Sequence, residues 1–125
     1  MNPLNEFLRL SSGIEAALEY SGGTHTLRDV LEALTKDLLQ FWPGSNSFLI
    51  TELEQYPRKK NCHIFLAGGN LTELEQMLPK VEEWAKDQGC SALTLTGRFG
   101  WLRTFLRGAG YEPQWQVMAK ELTNG

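Results

Sequence analysis

Residues 66–78 read LAGGNLTELEQML, an apolar strand end, two glycines and then a helix start. A Gly-Gly step between strand and helix either exposes backbone amides that cradle a phosphate or simply turns a corner. Downstream, Leu71, Leu74, Leu78, Val81 and Ala85 recur on one helical face with Trp84 beside them, and Gln88-Gly89 supplies the stop. Pro79 lies inside this run and predicts a kink or a broken turn. SALTLTG (91–97) then reads as a short strand, and GWLRTFLRGAG (100–110) as a compact helix closed by Gly108 and Gly110. EPQWQVMAKEL (112–122) reads as a final strand with Trp115, Val117 and Ala119 on one face. Strand, helix, strand at this spacing is a right-handed crossover between parallel neighbours, with antiparallel strands on its flanks.

Upstream the period is helical. Leu4, Phe7, Leu8, Ile14, Ala17 and Leu18 recur at three-to-four spacing until the glycines of SGGT (21–24). Thr26 can cap a second helix with Leu27, Val30, Leu31 and Leu34 as its stripe. Pro43-Gly44-Ser45-Asn46 is turn chemistry between two apolar runs, so a hairpin is expected, with Ser47 to Glu54 as its second arm. A charged connection, Tyr56 to Lys60, leads into another strand, CHIFLAG (62–68).

The 125 residues are 42% hydrophobic and 22% charged, which fits one globular domain over 1–125. No run approaches the roughly 18 apolar residues of a membrane span. MNPLNEFLRL carries no export signal, so a chain that is not secreted is expected. Cys62 and Cys90 stand alone, without metal-site spacing, and are expected to pack as small apolar residues. The net charge of −3 gives no global attraction to nucleic acid or to an anionic membrane.

Two helices, three antiparallel strands, a long helix, a parallel strand, a short helix ending in Gly110-Tyr111 and a last antiparallel strand resemble the GNAT acetyltransferase core without its first strand. The phrases GGTHTLRDV, QFWPGSNSFLITEL, HIFLAGGNLTEL, EEWAKDQGCSALTLTGR and GWLR look like a family of small tailed-bacteriophage proteins with a GNAT-like fold. The likeness covers nearly the whole chain. It implies an α+β or α/β architecture with a mixed, mostly antiparallel sheet, one parallel strand pair and helices on both faces. It further implies a structural or interaction component of a virion or its assembly, located in the host cytoplasm or the particle. The partners would be other phage structural or assembly proteins, or a second copy of the chain.

Active GNAT enzymes bind the pyrophosphate of acetyl-CoA on a loop that begins with a basic residue or glutamine and continues Gly-x-Gly/Ala. In this chain that motif falls on Gly69 to Leu74, GNLTEL, with one glycine, no basic residue or glutamine at its start, and Glu73 and Glu75 close behind. The carboxylates suit the helix dipole and repel a diphosphate, and Asn70 with Glu73 has the spacing of a capping box. No cofactor is therefore expected. The alternative is a small N-acetyltransferase that takes acetyl-CoA on Gly68, Gly69 and Asn70, with strands around Leu66-Ala67 and Leu93–Leu95 splayed to hold the pantetheine arm.

The position of the family's tyrosine acid falls on Leu106, which has no proton to give. Glu52, Glu54 and His63 could border a substrate cleft, but each reads more simply as an ordinary strand residue, and no catalytic or metal-binding residue is assigned. His25 is expected to support the turn before the second helix. The remaining unusual stretch holds Arg98, Trp101, Arg103 and Arg107, arginines beside aromatic surface, a composition enriched where proteins dock. Nucleic acid is disfavoured as the partner of so few arginines on an acidic chain.

Overall fold

The computed structural model describes residues 3–96, 106–114 and 117–122. Helices α1 (Pro3–Leu18) and α2 (Leu27–Thr35) precede strands β1 (Gln40–Pro43), β2 (Phe48–Gln55) and β3 (Lys60–Gly68), and α3 (Leu71–Asp87) precedes β4 (Ala92–Leu95). The sheet order is β1-β2-β3-β4, with β1, β2 and β3 antiparallel and β3 parallel to β4. The predicted hairpin, parallel pair and crossover helix are all present.

Apolar residues on both faces of the sheet demand a cover on each side. On one face α1 and α2 bring Phe7, Leu10, Ile14, Leu18 and Val30 against Phe48, Ile50 and Leu66. On the other, α3 packs Leu74, Leu78, Val81 and Ala85 against Leu49, Cys62 and Ile64. Each fully buried aliphatic or aromatic side chain contributes about 1.5–3 kcal/mol, so the two layers carry most of the fold's stability. Burial pushes the Cys62 thiol up to about 11, as a packed apolar cysteine requires, while Cys90 is half-buried. None of the described helices is long and apolar enough to cross a membrane.

Local signals start the helices. At α2 the Thr26 hydroxyl accepts from the Asp29 amide at 3.2 Å and the Asp29 carboxylate accepts from the Thr26 amide at 2.9 Å, a complete capping box. His25 lies just before it, its ring edge-on to Phe65 with centroids 4.7 Å apart, in the supporting position expected. Helix α3 runs through Pro79 without a break, contrary to expectation. Pro79 and Lys80 lie on the exposed side, where the one missing backbone bond faces water.

Register introduces a feature that alternation hides. Thr51 pairs with Ile64 and Ile50 with Leu66, so Phe65 is an extra residue in β3, a bulge. Ile64 consequently joins the α3 core while Leu66, two residues on, joins the α1/α2 core. Pairing between β3 and β4 runs from Asn61–Ala92 to Ile64–Leu95 and stops at this bulge.

The last strand is a correction. Described residues 112–114 and 117–122 form no strand, and Val117, Met118 and Leu122 are exposed. Alternating apolar residues supply a face but no ladder, and a strand needs both. Leu106–Gly110, expected as the end of a helix, is a run of turns in which Leu106 is buried; the rest of that helix and Trp115 lie outside the described residues.

Candidate functional site

The strand-to-helix corner leaves little backbone to offer. Only Gly69 and Asn70 separate Gly68, the end of β3, from Leu71, the start of α3. Gly69 has φ +113°, and a Cβ there would lie 2.5 Å from the Asn46 carbonyl oxygen and from Ser47. A Cβ on Gly68 would lie 2.8 Å from the Phe48 ring. Close packing thus requires both glycines, Gly69 against the β1–β2 turn and Gly68 against the Phe48 ring of β2.

Two amides of the corner, those of Asn70 and Glu73, have partners within the chain. The Asn70 N–H donates to the Ser47 hydroxyl at 2.8 Å, and the Asn70 side-chain oxygen accepts from the Glu73 N–H at 3.1 Å. The Glu73 carboxylate does not return to the Asn70 N–H, as a capping box would have it. It reaches across to the β1–β2 turn, accepting from the Ser45 and Asn46 amides at 2.8 and 2.9 Å. The Ser47 hydroxyl, then the Asn46 and Ser45 amides, hold this carboxyl below its usual range. From the other side Arg9 of α1 donates to the carbonyls of Gly44 and Ser45 and pairs with Glu6 at 2.6 Å. Turn, α1 and α3 are therefore clamped together. The cleft beside the clamp, about 550 Å³, is lined by Glu73, Gln76 and Lys80 among others. A diphosphate at this corner would meet a carboxylate on the turn amides and a capped helix end.

The other candidate residues separate into groups. Glu52 and His63 are register partners on β2 and β3, His63 Nδ1 lies 2.8 Å from the Thr94 hydroxyl on β4, and Glu54 is the register partner of Asn61. Glu52, Glu54 and His63 are all half-buried. The Glu54 charge, with a bond to the Tyr56 hydroxyl, raises the pKa of that phenol. Leu106, at the tyrosine-acid position, is buried in the α3 core. Next to it, the Tyr111 hydroxyl donates to the Glu82 carboxylate at 2.6 Å, and burial, then that bond, raises the phenol's pKa. Of the proposed docking residues, Arg107 is exposed, and Arg98, Trp101 and Arg103 lie outside the described residues. Among the described residues no three His, Cys, Asp or Glu side chains converge as a metal site.

Sequence reasoning missed Arg9, Ser47 and Asn61. Ser47 and Asn61 are polar residues that are buried, a state no local pattern marks.

No protein-family profile and no curated protein matches the chain. Solved structures do match in shape. A tetramutant protein of Bacillus halodurans aligns over 95% of this chain and 94% of its own, at 15% identity and TM-score 0.65. A Trypanosoma brucei acetyltransferase aligns over 77% and 78%, at 12% identity and TM-score 0.58. A Thermus thermophilus protein aligns over 82% and 85%, at 14% identity and TM-score 0.58. Likeness at these identities concerns the fold: a mixed α+β sheet with one parallel pair, shared with an acetyltransferase.

Proposed function

We propose that this chain is a GNAT-fold protein that has given up acetyl-CoA and acts by binding another protein. One observation carries the reading: the Glu73 carboxylate occupies the turn amides beside the α3 N-terminus, and Asn70 caps that terminus. A two-residue connection leaves no loop to wrap a diphosphate, and the charge already present is of the wrong sign. The bulge speaks for the alternative, a small N-acetyltransferase. Beyond Ile64 the β3 edge has no β4 partner among the described residues, and a pantetheine arm pairs with such an edge. At the phosphate end of that edge the Glu73 carboxylate and the Asn70 cap oppose a diphosphate, which in this reading leaves the arm without its anchor.

The partner follows from the sequence likeness to tailed-phage proteins: a structural or assembly protein of such a particle, or a second copy of the chain. Arg98, Trp101, Arg103 and Arg107 are the docking surface in this reading. The test is a thermal melt with 1 mM acetyl-CoA. A site with a Kd of about 10 μM would add about 2.7 kcal/mol at that concentration, close to 10 °C for a chain of this length. The reading expects no shift, and a shift of that size refutes it.

A further inference from the structure

The lower half of the α1/α2 face of the sheet is polar, and its chemistry has one sign. Leu49 and Leu53 of β2, Cys62 and Ile64 of β3, and Leu93 and Leu95 of β4 all pack toward α3. Strand alternation therefore places Glu52, Glu54, Asn61, His63 and Thr94 together on the opposite face. Register sets them in two adjoining rows, Glu52–His63–Thr94 and Glu54–Asn61–Ala92. The ion pairs among the described residues are Glu6–Arg9 and Arg28–Glu32, so neither Glu52 nor Glu54 is neutralised by a described cation. Lys60, next to Asn61 in sequence, instead donates to the Gln88 carbonyl at 3.0 Å.

Asn61 supplies the second, independent observation. The residue is 5% exposed, and its side-chain oxygen is buried without a hydrogen-bond donor. A buried acceptor is ordinarily satisfied, and here its residue has Glu54 as register partner on one side and Ala92 on the other. Two carboxylates without a cation among the described residues and an unfilled acceptor on one face call for a positively charged N–H donor.

We infer that the Glu52, Glu54 and Asn61 face receives a lysine or arginine side chain of a partner protein. The proposal rests on the binding role argued above and names the contact group: the cation's N–H donors fill the Asn61 oxygen while Glu52 and Glu54 neutralise its charge. Charge complementarity selects this occupant over an acidic or apolar one.

The experiment is an amide and side-chain NMR titration of the full chain with Nα-acetyl-lysine methylamide and Nα-acetyl-arginine methylamide. The Nε-acetylated lysine analogue is the neutral control. At least one charged probe is expected to bind saturably, moving the Asn61 side-chain amide and Thr94 resonances, with the neutral analogue silent. Glu52→Gln, which keeps shape and removes charge, should weaken that binding about tenfold while the melting temperature holds. Glu54→Gln gives a second reading should Glu52→Gln disturb the fold. Absence of saturation with both charged probes, equal binding of the neutral analogue, or unchanged affinity in both variants overturns the proposal. Adding acetyl-CoA to the lysine titration keeps the two readings apart: acetylation of the probe refutes the non-catalytic role and leaves the cation site standing, whereas failure of the probes to bind leaves the closed corner intact.

Discussion

Replacing Gly69 by alanine tests whether the glycine corner is a packing device. Two costs combine. At φ +113° an L side chain is outside its common conformations, which costs about 1–3 kcal/mol. The added Cβ would also lie 2.5 Å from the Asn46 carbonyl oxygen and the Ser47 Cα, both backbone atoms that cannot rotate away. Forced overpacking of that kind costs about 1–3 kcal/mol more. The combined loss, about 2–6 kcal/mol, lowers the melting temperature by about 8–24 °C for a chain of this length. Gly23→Ala is the internal control, because Gly23 has φ +75° with open space around it. It carries the conformational cost alone, about 1 kcal/mol or about 4 °C. Both variants would be melted by circular dichroism beside the wild type. A Gly69→Ala melt within about 2 °C of wild type, or no lower than that of Gly23→Ala, would refute the close packing on which the corner's structural role depends.

Three further outcomes are expected. Glu73→Gln keeps the side chain's shape but weakens its bonds to the turn amides. Because the folded carboxyl lies below its ordinary value of 4.5, its stabilising effect is complete above that pH and is lost as the pH falls through the folded value. Melting temperature plotted from about pH 6 to about pH 3 should therefore fall less steeply in Glu73→Gln than in wild type, and parallel curves would contradict the assignment. Tyr111→Phe removes a phenol bonded to the Glu82 carboxylate in a partly buried position and should cost about 1.5–3 kcal/mol in a urea unfolding series; an unchanged midpoint would mean the bond is idle. Arg98→Ala, in the proposed docking surface, should leave the melt nearly unchanged while weakening co-sedimentation with phage structural components, whereas a collapsed melt with intact association would make Arg98 an internal brace.

Much of the fold was legible because its signals are local. The stripe Leu71–Leu74–Leu78–Val81–Ala85 and the turn residues Pro43–Asn46 define α3 and the hairpin from sequence spacing alone. The Phe65 bulge was not legible, since Ile64 and Leu66 are alike in character and read as one face although the structure sends them to opposite cores. Residues 112–122 misled in the other direction: their alternation is clear, but pairing depends on a neighbour that sequence cannot display. At the candidate site, Asn70 as a cap was readable from its place before the helix. Glu73 was readable as a repelling charge but not as a ligand of amides 27 and 28 residues earlier. Likewise, the buried and unpartnered state of Asn61 depends on register across three strands.

The proposed loss of acetyl-CoA rests on the Asn70 and Glu73 amides being bonded within the chain and on the Glu73 carboxylate held on the turn beside them. An amide NMR titration with acetyl-CoA tests it most directly, residue by residue at Ser45, Asn46, Gly69, Asn70 and Glu73. The account predicts that these five resonances stay in place as acetyl-CoA is raised to about 1 mM, well above the micromolar end of enzyme substrate affinities. Saturable movement centred on them would show the corner opening to the cofactor and would contradict the account.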